Sequence, residues 1–523
     1  MNKNLLNFLL VFTLTIPFLQ NCHDKEKDLV ILSGSENESI EPILKNFESE
    51  TGIRIEMKYK GSVDIMMELG NETSNFDAIW PASTLWISLG DKSRKVKHIK
   101  SIMTSPVAFG IRKSLAEELG FAKRDVRVKD ILAAIRTKKL KFIMTSATQS
   151  NSGTSAYLGF LYALLGNPDV ITEEDLSKES LRKDMKELLN GINRSSGSSG
   201  WLKELFLSGK YDAMVNYESL LIETNQTLVS QGKEPLYIVY PKDGIVISDS
   251  PLGFVNSGNP KKEESFKKLQ DYLLSEKIQK QILNTGRRVG FGGTIEDGDK
   301  SVFNPNWGID SKRILSPIQL PSADMIRKAL SMYQTEFRKS SYTVFCLDFS
   351  DSMLGTGERQ LKEAMDLLLD KEKATRYFLD FSKDDKIVVI IFSHITLAMW
   401  TANGNNPDEI KELNAKIQGT LPNGATDIYS PIIAALKELK DVDNDEYSPA
   451  VIVMTDGISN SGKNFKDVSR AFKKIDKDIP VFPIMFGDAS EDQLKEIAEL
   501  TRAKVFDGRS NLIQAFKTAK GYN

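Results

Sequence analysis

At 523 residues the chain is too long for one hydrophobic core, and two to four domains are expected. Lys and Arg total 69 against 71 Asp and Glu, so the formal net charge is −2, and the basic runs Lys138-Lys139 and Lys261-Lys262 are short. That balance argues against a nucleic-acid partner. The three histidines, His23, His98 and His394, are far apart and in no metal-ligand spacing, and no nucleophile motif, phosphate loop or zinc signature occurs. An enzyme is therefore not expected.

Lys3 opens the chain with a positive charge, and residues 5–19 are almost wholly apolar, too short a run to span a bilayer comfortably. The run ends at Leu19-Gln20-Asn21-Cys22, which resembles a lipoprotein signal peptide, although Gln20 and Asn21 stand where small residues are usual. The resemblance implies a leader over residues 1–22, lipidation of Cys22, and an exported protein anchored to a membrane, facing the periplasm or on the cell surface. The alternative is an ordinary cleaved secretory leader. Residues 23–27 form a charged tether. With Cys22 lipidated, Cys346 has no disulfide partner, and it reads as a small buried hydrophobe.

Residues 28–33 form a short apolar run with strand character. Helical spacing follows at Ile40, Ile43, Leu44 and Phe47, stopped by Thr51-Gly52. Residues 53–59 alternate as a strand, 62–69 read as a helix and 76–80 as a strand, an order that predicts a parallel sheet. Residues 28–295 resemble a type II periplasmic solute-binding protein, a two-lobed α/β family that delivers anions, metals or small solutes to transporters. The resemblance implies two crossing strands, near residues 104–112 and 239–254, and a second lobe over about 110–240. Closing helices are expected over 262–285.

In such a fold the cleft collects helix N-termini and short hydroxyls, which attract anions. The candidate ligand contacts are Ser33 and Ser35 around Gly34, Ser83 in the Pro81–Thr84 turn, Ser152, Gly153 and Thr154 before a helical pattern over 156–165, and Tyr217 after a strand over 213–215. Each of these also reads as an ordinary cap or turn. Ser195-Ser196-Gly197-Ser198-Ser199-Gly200 is expected to be a flexible linker or a mobile loop over the cleft, with Trp201 either stacking on a ligand or buried.

Turn signals at Asn304-Pro305-Asn306, Ser316-Pro317 and Leu320-Pro321 mark a linker, and residues 323–338 form an amphipathic helix, so 296–340 is read as a linker with a bridging helix. Beyond it, strands are expected over 343–347, 386–392, 450–455 and 481–485. Helices are expected over 358–381, 407–417, 428–439, 465–475, 491–500 and 511–519. Apolar runs such as 388–392 predict strands buried on both faces, in a doubly wound sheet with ligands at the strands' carboxyl ends.

Asp348-Phe349-Ser350-Asp351-Ser352 falls at the end of the first of these strands. Gly424-Ala425-Thr426-Asp427 and Met454-Thr455-Asp456-Gly457 fall at the ends of later elements. Together they offer carboxylates and hydroxyls with no His or Cys, a donor set suited to a hard cation such as Mg²⁺. Residues 341–523 resemble a von Willebrand factor type A (VWA) domain, a Rossmann-like fold. All five positions of that family's metal-ion-dependent adhesion site are present: Asp348, Ser350, Ser352, Thr426 and Asp456. Asp351 stands where the family usually has Gly. The resemblance implies that Ser350, Ser352 and Thr426 bind the ion (Mg²⁺, or Mn²⁺ or Ca²⁺) directly. Asp348 and Asp456 would bind it directly or through water, and a partner protein's carboxylate would fill an open position.

The sequence therefore predicts a non-enzymatic exported lipoprotein, with a VWA domain that binds a protein and a solute-binding-like module that senses or captures a small ligand such as an anion. The alternative is the solute-capture component of an import system, with the VWA domain as an accessory.

Overall fold

The computed structural model describes residues 27–71, 75–290, 295, 298–310, 315–404, 406–487, 489–509 and 511–521; the expected leader and Cys22 lie outside them. In the first lobe β1 (Leu29–Gly34) lies between β2 (Ile55–Lys60) and β3 (Ala78–Trp80), all parallel, and β4 (Val96–Ser101) forms an edge. The helix Glu41–Thr51 buries Ile43, Leu44 and Phe47 and stops at Gly52, whose φ of 74° is left-handed. Glycine takes that conformation without steric cost.

The second lobe holds β5 (Ser105–Arg112), β6 (Phe142–Thr145), β7 (Ile192–Ser196), β8 (Ala213–Tyr217), β9 (Leu236–Val239) and β10 (Ile247–Ser248). Its sheet runs β10-β5-β8-β6-β7, with β9 also paired to β5. The chain then returns to the first sheet as β11 (Pro251–Val255), antiparallel to β3 and β4. The two crossings lie side by side, the Ile102 N–H donating to Ser250 O at 3.2 Å. The helices Pro260–Leu273 and Glu276–Leu283 complete the first lobe.

The helix Ala323–Met332 and a single π turn, Tyr333–Phe337, pack on the second lobe, where the Tyr157 hydroxyl donates to Ala329 O at 2.8 Å. The chain then enters a six-stranded sheet: β12 (Ser340–Asp348), β13 (Lys386–Phe392), β14 (Thr396–Asn403), β15 (Tyr447–Thr455), β16 (Val481–Met485) and β17 (Phe506–Asp507). The order is β14-β13-β12-β15-β16-β17, parallel except for β14. Alternate residues of the central strands feed two cores. Phe345, Leu347 and Val389 lie under the helices Thr356–Leu369 and Leu512–Lys520, and Val344, Cys346 and Val388 under Tyr429–Leu439.

Three local expectations are corrected. The Ser/Gly run 195–200 is neither linker nor mobile loop. It finishes β7 and starts the helix Ser199–Ser208, because the Ser196 hydroxyl accepts from the Ser198 N–H at 3.1 Å and the Ser198 hydroxyl caps the Trp201 N–H at 3.4 Å. The helix expected over 358–381 is two helices, Thr356–Leu369 and Lys371–Arg376, broken at Asp370, whose carboxylate caps the Lys373 N–H. Strand β14, absent from the expectation, is a half-exposed edge with a weaker apolar pattern than its neighbours.

The C-terminal sheet docks on the two-lobed module through the amino ends of its parallel strands. Lys339 donates to Ile192 O (2.9 Å) and Asn444 O (3.0 Å). Arg194 pairs with Asp478 at 3.2 Å and donates to Arg502 O, and the Tyr211 hydroxyl donates to Asp478 at 2.8 Å. The Gln149 side chain donates to Lys517 O at 2.8 Å. The carboxyl ends of β12, β13 and β15 lie at the other end of the sheet, on the order of 25 Å away at about 3.3 Å per residue.

Candidate functional site

Three adjacent strands deliver the first site. Strand β12 ends at Asp348, in register with Phe392 at the end of β13, and β15 ends at Thr455. Asp348 is fully buried. It accepts from the Ser350 N–H at 2.9 Å, which curls the loop back, and from the Thr455 hydroxyl at 2.6 Å. The Ser350 and Ser352 hydroxyls lie 3.1 Å apart, and the Ser352 hydroxyl donates to Asp456 Oδ1 at 2.9 Å. Thr426 joins them across Gly457, where an added Cβ would lie 3.0 Å from Thr426 Oγ1 and 3.2 Å from Ser352 Oγ. The five residues singled out in the sequence therefore converge on one rim. Burial pushes Asp348 up to about 6, and the nearby Asp456 carboxylate adds to the rise.

Asp351 ties two loops together: its carboxylate accepts from the Gly424 N–H at 2.9 Å, and its own N–H donates to Gly424 O at 2.8 Å. Asp427 is occupied locally by the Tyr429, Ser430 and Lys463 N–H groups. Thr455 and Gly457 were missed as positioning residues, although both lie in the quoted Met454–Gly457 segment. Among the described residues no three His, Cys, Asp or Glu side chains gather into a metal site. The rim combines two carboxylates with hydroxyls instead, an oxygen-only donor set that fits a hard divalent cation. The described histidines stand apart from each other: His98 pairs with Glu263 at 2.6 Å, and His394 is exposed beside Ser393.

The second site is the interlobe cleft. The lobes meet directly: the Val63 N–H donates to Gln149 O at 3.2 Å, the Trp86 indole to Asn151 at 2.7 Å, and the Gly200 N–H to Ser35 Oγ at 3.2 Å. Glu223 latches them further, accepting from Ser39 at 2.7 Å and from Arg287 at 3.2 Å. Beside these contacts lies a cavity of about 690 Å³. Tyr59 and Asp64 come from the first lobe, Trp201 and Glu223 from the second, and Lys504, Phe506, Gln514 and Thr518 from the C-terminal domain.

Of the seven candidate ligand residues, Ser35 lines this cavity. Ser33 accepts from Asn37, and Ser83 caps Leu85. Ser152 bonds Thr145 and Ser199, and Thr154 donates to Ala147 O. Tyr217 accepts from Asn151. Gly153 lies within the helix Asn151–Leu165, against Thr145 O. The Ser33-Gly34-Ser35 turn is covered by Glu36, whose carboxyl lies against Gly34 and is pushed up to about 7 by burial. Nothing in the local sequence pattern pointed to the wall contributed by residues 504–518, because those residues reach the cleft only through domain docking.

Residues 29–288 match the family described as bacterial extracellular solute-binding protein, and residues 343–516 match the von Willebrand factor type A domain. Human inter-alpha-trypsin inhibitor heavy chain H6 is 26% identical over 160 residues, covering 28% of this chain and 11% of that protein. Among solved structures, the periplasmic binding protein AfuA from Actinobacillus pleuropneumoniae is similar at a TM-score of 0.44 and 14% identity, covering 59% of this chain and 98% of its own. The sulfate-binding protein SubI from Mycobacterium tuberculosis H37Rv is similar at a TM-score of 0.39 and 14% identity, covering 58% of this chain and 96% of its own. No described helix is long and apolar enough to cross a membrane. The chain is thus a bacterial solute-binding domain followed by a VWA domain, a pairing of a ligand-binding module with a protein-interaction module.

Proposed function

We propose that this protein is an exported, non-enzymatic lipoprotein, anchored through Cys22, whose VWA domain binds a partner protein through Mg²⁺ (or Mn²⁺ or Ca²⁺) at Asp348, Ser350, Ser352, Thr426 and Asp456. The observation that carries this reading is the convergence of Ser350, Ser352 and Asp456 within 3.1 Å of their neighbours, with Thr426 facing the same glycine. A bound cation supplies a positive centre short of one oxygen, which a partner's Asp or Glu completes. Asp456 anchors the Ser352 hydroxyl, and Asp348, held by the Thr455 hydroxyl, accepts from the Ser350 N–H and so fixes the loop that carries Ser350 and Ser352. Domain docking at the opposite end of the sheet leaves this rim open to a large partner.

Isothermal titration of the full chain with MgCl₂ tests the reading. Saturable binding is expected, lost in Asp348→Ala and Thr426→Ala while their circular dichroism is unchanged. Equal heats for wild type and both variants would end it.

A second reading, solute capture for an import system, is favoured by the three-walled cavity. It is lined by four carboxylates (Glu38, Asp64, Glu204, Glu223) and three lysines (Lys60, Lys203, Lys504), beside Tyr59, Trp201 and Phe506. With Glu36 already over the Ser33–Ser35 turn, this lining suits a neutral or zwitterionic polar solute better than an anion. Titration with neutral sugars, amino acids and oxyanions discriminates, and preferential oxyanion binding would contradict the assignment.

A further inference from the structure

Large apolar side chains that stay exposed in a folded domain are informative when they cluster. Four lie at this rim: Leu354, Leu421 and Ile458, 65%, 74% and 53% exposed, on the loops that carry the candidate metal ligands, and Ile395, 54% exposed, on the adjoining turn between β13 and β14. Leu354 closes the turn begun by Asp351, its N–H donating to Asp351 O at 3.2 Å. Leu421 is two residues before Asn423, whose N–H donates to Phe349 O at 2.8 Å, and three before Gly424, which is tied to Asp351. Ile395 O accepts from the Ser393 N–H at 2.9 Å, and Ser393 O in turn accepts from the Asp427 N–H at 2.8 Å. Ile458 follows Gly457, the residue on which Thr426 and Ser352 converge. The collar extends along the edge strand β14 through Leu397 and Met399, 42% and 43% exposed, two residues apart and so on one face of the strand.

We propose that this collar recognises an extended protein segment in which one Asp or Glu is flanked by large apolar residues such as Leu, Ile, Met or Phe. The inference rests on the metal-site reading above and specifies the partner for it. The centre of the collar holds two carboxylates and three hydroxyls, so a cation bound there presents positive charge and attracts a carboxylate. A purely polar segment would leave the four apolar side chains in water. An apolar segment without an acid would leave the cation's last position to solvent. A carboxylate between apolar side chains satisfies both, and closing the collar over it excludes water and strengthens the charge interaction.

The test uses the full chain and a displayed library of random twelve-residue peptides, selected in MgCl₂ and again in EDTA. Selection in MgCl₂ is expected to enrich peptides with Asp or Glu and a large apolar residue within two positions of it, and EDTA to abolish the enrichment. Against an enriched synthetic peptide, the combined change Leu354→Ser, Ile395→Ser, Leu421→Ser and Ile458→Ser should weaken binding at least tenfold while Mg²⁺ titration of the variant matches wild type. Should the combined variant melt early, Leu421→Ser alone serves, with a threefold or greater loss expected. Enriched acids flanked by polar residues, or serine variants that bind as wild type, overturn the collar and leave the metal site standing. Acid-free or EDTA-insensitive peptides overturn both. Absence of enrichment while Mg²⁺ still binds overturns the collar's recognition of an extended segment.

Discussion

Gly457 sits where two hydroxyl side chains approach the backbone, and its lack of a Cβ keeps Thr426 Oγ1 and Ser352 Oγ facing one point. Gly457→Ala would place a methyl 3.0 Å and 3.2 Å from those oxygens, closer than ordinary contact, so they must give way. Mg²⁺ affinity is expected to fall roughly tenfold, the scale on which a misplaced supporting group costs a metal site, with little change in melting temperature; calorimetric titration and thermal melts check both. Thr455 acts one step further back. Its hydroxyl is the 2.6 Å donor to Asp348 Oδ2 in a fully buried setting. Thr455→Val keeps the shape and removes the donor, so a buried carboxylate oxygen loses its partner, at a cost of about 1–3 kcal/mol. Urea unfolding in chelator should show that loss, and an unchanged midpoint would mean that Thr455 does not support Asp348.

At the scale of elements, the departure at Asp351 has a mechanical role. Its two bonds to Gly424 hold the loop after β12 against the loop bearing Thr426. Asp351→Gly, which restores the residue usual in the VWA family, removes the side-chain bond and frees the backbone. Stability should fall by roughly 1 kcal/mol, and Mg²⁺ binding should weaken with a larger entropic penalty. Titration at two temperatures reads this, and tighter binding would contradict it. The central strands were legible because they are buried on both faces and written as unbroken apolar runs; β13 and β16 have the bounds that their runs predict. Asp348, Ser350, Ser352 and Asp456 were legible because they follow such runs, whereas Thr426 follows the helix Pro407–Gly419 and stood out only through its motif. Edge strand β14 was not, since half-exposed strands carry mixed residues. The Ser/Gly run 195–200 misled because composition measures flexibility only when hydroxyls lack partners, and these have them. The cleft was the least legible: helix-start residues Ser152 and Thr154 spend their hydroxyls on protein groups around the helix start, Thr145, Ser199 and Ala147 O, whereas Tyr59, Asp64 and Gln514 meet only in three dimensions.

For the whole molecule, docking of the two domains has left ionisable groups in poor solvent, and this sets a pH signature. Burial pushes Lys520 down to about 7, and Lys339 and Lys517 down to about 8; Lys339 and Lys517 both lie in the contact between the domains. A lysine lowered in the folded state is protonated more readily when unfolded. Between the folded value and the ordinary one near 10.5, unfolding takes up protons and stability climbs with pH. Burial raises Glu36 to about 7 and Asp64 to about 6, both beside the cleft. A carboxyl raised in the folded state has the opposite sign: its contribution is complete below the ordinary value near 4 and is lost as pH rises through 6 to 7. Asp385 is held below the usual range by Arg338 despite its burial, and its contribution is lost only below about 4. Melting temperature in chelator is therefore expected to fall from pH 4.5 to 7 and to rise again toward pH 10. Glu36→Gln should flatten the descending arm and Lys520→Met the ascending arm, each leaving the other arm intact. A melting temperature that falls steadily from pH 7 to 10 in the wild type, or arms indifferent to these substitutions, would show that the buried charges do not govern how the domains hold together.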